Sequence, residues 1–142
     1  ALNTFNLIQS LDSVALALEL DKEGRRSGKT VRTLIEINLG DEQSKSGIEQ
    51  DKVQELVKRV SELAHLHVEG LMAVPPFKEN PEESRPYFCA LRELQVELQG
   101  WKIPNGSFSE LSMGMTHDYP IAIEEGATIV RIGTALFGPR KA

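Results

Sequence analysis

Near its end the chain reads Thr128-Ile129-Val130-Arg131-Ile132-Gly133-Thr134, which sets a cation, a glycine and a hydroxyl directly behind an apolar, strand-like run. Each type suits one part of a site for an anionic ligand. Gly133 has no Cβ, so its backbone can come close to a bound group. Thr134 offers a backbone N–H and a hydroxyl together. If Ala135-Leu136-Phe137-Gly138 turns helical, its first N–H groups point unsatisfied at the same spot, an arrangement suited to phosphate. Arg131 stands two residues before Gly133, hence on the same strand face. Ser112, at the end of the preceding strand-like stretch, can add a hydroxyl from the side. Taken singly, Gly133-Thr134 reads equally well as a tight turn, and Ser112 reads first as a satisfied strand-end hydroxyl. Together with Arg131 they point to a phosphate site.

The other candidates are weaker. A lysine that bonds covalently to a carbonyl needs its pKa lowered by burial or a cationic neighbour. Lys45 has Asp41 and Glu42 nearby instead, and reads as a solvated loop residue. His65 and His67 have no ligand spacing with a carboxylate. Asp118 reads as a helix cap, and Cys89, among Phe88, Leu91 and Leu94, as a buried structural thiol. No zinc set or nucleophile triad is present.

The elements that must carry these residues alternate. Phe5–Ser10 reads as a strand, and Asp12–Arg26 as a helix capped by Asp12 or Ser13 and ended near Gly28. Val31–Leu39 is a β-branched strand. Val53, Leu56, Val57, Val60, Leu63 and Ala64 recur at helical spacing, in a segment running to Leu66. A third strand over His67–Val74 precedes a helix from Asn80 to Gly100 whose first turns Pro86 makes irregular. Ser109–Met115 is a fourth strand, His117–Gly126 a short helix, and Thr128–Leu136 a fifth strand. Strand, helix, strand, helix is the mark of parallel βα units, and residues 1–142 read as one domain. No G-x-G-x-x-G follows the first strand, which weakens the doubly wound alternative. A (β/α)8 barrel binds phosphate in the loops after its last two strands, where Ser112 and Arg131-Gly133-Thr134 fall.

The 142 residues carry a formal net charge of −5, so no basic face is available for nucleic acid, although a local pocket can still be positive. No apolar run reaches the ~20 residues of a membrane span. Cys89 is the only cysteine, which fits a reducing, cytoplasmic setting.

The run Glu110–Gly138 strongly resembles the C-terminal signature of the pyridoxal-phosphate homeostasis proteins, and Ile37–Ile48 and Val68–Pro76 resemble the two preceding strands of that family. The likeness extends over essentially the whole chain. It implies an alanine-racemase-type barrel and a pyridoxal 5′-phosphate cofactor, with a role in vitamin B6 and amino-acid homeostasis. It further implies that Ser112, Gly133 and Thr134 hold the phosphate, that Met113 gives a backbone contact, and that Arg131 faces the pyridine nitrogen. Arginine is always charged and only donates, so it leaves that nitrogen unprotonated and supports carbanion chemistry poorly.

The family's Schiff-base lysine, on the first barrel strand, has no counterpart here. Four complete strands and part of a fifth are present, while a (β/α)8 barrel takes at least ~200 residues. The expectation is therefore a partial barrel with its first strands missing, binding cofactor without a covalent anchor. Its open strand edges would pair with the missing segment or with another copy. The rival readings are a racemase-like enzyme fragment and a fragment with no ligand. Racemisation needs a lysine and a second base on opposite faces of the substrate carbon, and no such pair is visible.

Overall fold

Ser13 starts helix α1 (Val14–Ser27), its Oγ accepting the Leu16 N–H at 3.3 Å and so satisfying one of the orphan donors of a helix start. Gly28 ends the helix in the left-handed region (φ 66°), and the Gly28 and Lys29 N–H groups close back on Arg25 O and Gly24 O. The structure is a computed structural model and describes residues 5–40 and 46–139.

Strand β1 (Ile8–Leu11) precedes α1; β2 (Val31–Asn38) and the two-residue β3 (Ile48–Glu49) follow it. A 3-10 turn leads into α2 (Val53–Val60), then β4 (Leu66–Ala73). The irregular entry expected for the next helix is a 3-10 turn over Pro81–Ser84, ahead of α3 (Arg85–Gly100). The chain continues through β5 (Gly106–Met115), α4 (Tyr119–Glu124), β6 (Ile129–Arg131) and α5 (Thr134–Phe137).

Every strand pairing is parallel and the sheet runs β1-β2-β4-β5-β6, with β3 against the end of β2. The order follows the chain without reversal. In β2, Val31, Ile35 and Ile37 join the core formed with the helices, while Arg32, Leu34 and Glu36 occupy the alternate positions. The same core takes Ala17 and Leu20 of α1, Leu56 and Val57 of α2, Phe88 and Leu91 of α3 and Ile121 of α4. Helices α1 to α4 therefore cover one face of the sheet, which separates this fold from a doubly wound one: it is a partial parallel barrel, helices outside and the alternate residues facing inward.

Several boundaries depart from the sequence expectation, among them the start of β5, at Gly106 instead of Ser109. Helix α2 stops at Val60 instead of continuing to Leu66, because distant side chains take over the backbone groups beyond it. Asn105 Nδ2 donates to Val60 O, Leu63 O and Leu66 O at 2.7, 3.0 and 3.1 Å, and the buried Asp21 accepts the His65 N–H at 2.8 Å. The last strand ends at Arg131, and the residues from Thr134 become α5. The first begins at Ile8, where a bulge sets Ile8 opposite Thr33 and Leu11 opposite Ile35.

Candidate functional site

Because the strands are parallel, the ends of β2, β4, β5 and β6 open at the same rim. Arg131 closes β6 there. Its Nη1 donates to Ser112 Oγ at 2.5 Å and Ser112 O at 3.1 Å, and its Nη2 to Ala73 O at 2.9 Å, so one guanidinium spans β4, β5 and β6. Burial draws Arg131 below its ordinary pKa, while the charges of Glu36 and Asp118 work in the other direction. Glu36, buried on the inner face of β2, accepts the Ser46 hydroxyl at 2.5 Å. The arginine is thus a half-buried cation held from behind, whose burial outweighs the opposing charges of Glu36 and Asp118.

Ser112 is fully buried; its hydroxyl donates to Gln9 Oε1 at 2.6 Å and accepts from Arg131. Met113 points its side chain into the core, where no ligand can reach it. Gly133 and Thr134 are exposed at the rim. A Cβ on Gly133 would meet no atom within 4 Å, so no packing among the described residues requires glycine there. Thr116, just past β5, is the hydroxyl at this spot: its Oγ1 accepts from Gly133 N at 3.2 Å and Ala135 N at 3.4 Å. Sequence reasoning stopped at Ser112 and passed over Thr116, although the run Ser112-Met113-Gly114-Met115-Thr116 holds both hydroxyls. Gln9 gave no signal in a strand-like segment. Lys45 lies outside the described residues.

A cleft of about 710 Å³ opens beside these groups, lined in part by Phe77, Met115, Thr116, Gly133, Thr134 and Phe137. Phe77 stacks on His117 with ring centroids 5.1 Å apart, and His117 Nε2 lies 3.0 Å from Lys78 O and 3.1 Å from Glu79 O. That contact fastens the loop after β4 to the loop after β5 and fixes one wall. Gly114 lets α4 approach from below: it has φ 92°, and a Cβ there would stand 2.5 Å from Ala122 Cβ. Asp118 precedes α4 as expected, but its carboxylate turns back to accept the Met115 N–H at 2.8 Å instead of capping the helix.

Cys89 is half-buried and not enclosed, and its thiol donates to Glu125 Oε2 at 3.1 Å. That hydrogen bond, followed by burial, pushes the thiol pKa up, the opposite of what a reactive cysteine needs. Among the described residues no group of three or more His, Cys, Asp or Glu could hold a metal ion, and no helix is long and apolar enough to cross a membrane.

The arrangement offers a donor cation at strand depth and, at the rim, N–H groups and hydroxyls beside an apolar wall. Residues 1–141 match the family described as "Alanine racemase, N-terminal domain". Over 135 residues the chain is 51% identical to the pyridoxal phosphate homeostasis protein of Aquifex aeolicus, covering 95% of this chain and 58% of that protein. The protein of the same name from Haemophilus influenzae is 41% identical, with 96% and 57% covered. Among solved structures, that of PipY from Synechococcus elongatus with PLP bound superposes with a TM-score of 0.86 at 33% identity, over 96% of this chain and 62% of PipY. The chain thus spans less than two thirds of the length of these relatives. With its parallel sheet, its helices on one face and its site at the strand ends, the chain belongs to the alanine racemase N-terminal-domain family, of whose barrel it forms a part.

Proposed function

We propose that this chain carries the phosphate and ring-nitrogen side of a pyridoxal 5′-phosphate site, in a protein of vitamin B6 and amino-acid homeostasis. The observation that carries the reading is the placement of Arg131 inside the rim, with Gly133, Thr134 and Thr116 at the rim itself. The residues suit the group. Phosphate takes up N–H and hydroxyl donors: the Thr134 and Thr116 hydroxyls, and the Gly133 and Ala135 N–H groups, which exchange Thr116 Oγ1 for a phosphate oxygen on binding. An unprotonated pyridine nitrogen accepts from a fixed cation, the role of Arg131, with Met113 in backbone contact. Ser112, expected from the sequence at the phosphate, acts instead through the guanidinium, because its buried hydroxyl already bonds Arg131 and Gln9. Met115 and Phe77 give the apolar wall an aromatic ring favours. When bound, the cofactor supplies an aldehyde and a ring that accepts electron density. Arg131 keeps that ring from becoming a strong electron sink, which suits holding the cofactor over turning it over.

The similarity to PLP-bound PipY and to proteins named for pyridoxal phosphate homeostasis supports the reading. The outer edges of β1 and β6 are unpaired among the described residues, and we assign them to pairing with further βα units or with a second copy. A cytoplasmic setting fits the single cysteine. The test is a pyridoxal 5′-phosphate titration of this chain followed in visible absorbance, then borohydride reduction and intact mass. Saturable binding is expected, with the mass unchanged, and with affinity lowered at least about tenfold in Arg131→Ala and Thr134→Ala, the loss of one charge-assisted contact. Binding indifferent to both substitutions would refute the assignment, and a stable mass gain on one lysine would return the racemase-like reading.

A further inference from the structure

Gln9 lies on β1 and Ser112 on β5, with β2 and β4 between them in the sheet, yet Ser112 Oγ and Gln9 Oε1 are 2.6 Å apart. The bond is therefore a chord across the concave inner face, joining residues 103 apart in sequence. Two independent features build it. The first is the bulge in β1: Ile8 pairs with Thr33 and Leu11 with Ile35, so three steps on β1 match two on β2. That extra residue lets Ile8 and Leu11 both pack toward the helices while Gln9 turns inward, the re-aiming that bulges provide. The second is the direction of the protons. Arginine can only donate, so at 2.5 Å from Arg131 Nη1 the Ser112 oxygen accepts, and the hydroxyl's own proton goes to Gln9 Oε1.

We propose that Gln9 is a positioning residue for Arg131: by accepting the Ser112 proton it fixes the hydroxyl as an acceptor toward the guanidinium, and so holds Arg131 in the orientation it presents at the rim. The role toward cofactor rests on the function proposed above; the hold on Arg131 does not. Without the Gln9 oxygen the buried Ser112 hydroxyl must find another acceptor, and its rotation no longer suits the arginine.

The first arm of the test needs no ligand. Guanidinium N–H signals are followed by 15N-edited NMR in the wild type, with the Arg131 set identified by its loss in Arg131→Lys. The wild type is expected to show separate Arg131 Nη–H signals, from a guanidinium whose rotation is restrained. Gln9→Leu should merge them into one averaged line, whereas Gln9→Glu, which keeps an acceptor in place, should preserve them. A role in packing alone predicts no such difference between the two variants. Separate signals persisting in Gln9→Leu would overturn the proposal, because Ser112 and Ala73 would then hold Arg131 unaided. If Gln9→Leu does not fold, Gln9→Ala, which also removes the acceptor but leaves Ser112 Oγ against Arg131, is read the same way. The second arm titrates each folded variant with pyridoxal 5′-phosphate, where Gln9→Leu should bind roughly fivefold more weakly, the loss of about one hydrogen bond, and Gln9→Glu no weaker than about twofold. Unchanged affinity in Gln9→Leu would overturn the positioning role toward cofactor. A wild type that binds no cofactor would sink the proposed function and leave the NMR arm to decide Gln9.

Discussion

Replacing Gly133 with alanine separates a glycine kept for a ligand from one kept for the fold. The backbone there has φ −116° and ψ −75°, so it makes no left-handed demand. An added Cβ would meet nothing within 4 Å, and the bond from the Gly133 N–H to Thr116 Oγ1 uses a backbone donor that alanine retains. Nothing in the folded chain opposes the methyl group, while the unfolded chain loses freedom. Gly133→Ala should therefore leave stability unchanged or raise it by about 0.4–1 kcal/mol in urea unfolding. A ligand approaching that backbone meets the methyl group directly. Crowding a filled site by one carbon costs about 1–3 kcal/mol, so the dissociation constant for pyridoxal 5′-phosphate should rise roughly fivefold to a hundredfold. The assay is a pair of curves, urea unfolding by circular dichroism and cofactor titration by absorbance, on the same two proteins. Affinity equal to that of the wild type would refute the reasoning, as would a loss of stability above about 2 kcal/mol, since the glycine would then serve the fold.

Two further outcomes follow from the structure away from the rim. Asn105 Nδ2 faces three carbonyls while its Oδ1 is buried without a partner among the described residues, so Asn105→Asp sets oxygen against oxygen. It should destabilise by about 3–5 kcal/mol at neutral pH, and Asn105→Ala, which also removes the orphan, by only about 1–2 kcal/mol. The new carboxyl titrates above its unfolded value, so acidification should restore part of the loss in Asn105→Asp; equal urea midpoints for the two variants would count against the donor assignment. Arg85, then the Cys89 thiol, hold the Glu125 carboxyl below the usual carboxylate range. A lowered folded value contributes stability above the unfolded pKa, near 4.3, which is lost as pH falls through the folded value. Thermal melts from pH 7 to pH 3 should fall less steeply in Glu125→Gln than in the wild type, and parallel profiles would remove Glu125 from the acid response.

What could be read from the sequence was what short range decides. Gly28 and Ser13 bound α1 through their own geometry, and the apolar spacing from Val53 to Val60 is local, so each was visible before folding. The end of α2 was not, because Asp21 and Asn105 set it from 44 and up to 45 residues away. The site divides in the same manner. Arg131, Gly133 and Thr134 follow one another and announce themselves by type, whereas Thr116 and Gln9 acquire meaning only once β5 and β1 are curled toward their partners.

The chord from Gln9 to Ser112 also bears on the order in which the chain acquires its parts. Each βα unit pairs with its neighbour in sequence, so the sheet can grow by short loop closures. The chord closes only after β2, β4 and β5 stand in register with β1 already in place. A chain folded as far as α3 has a core but has not yet oriented Arg131, so competence to bind arrives with the last strands, and a ligand that selects the finished rim stabilises every unit beneath it.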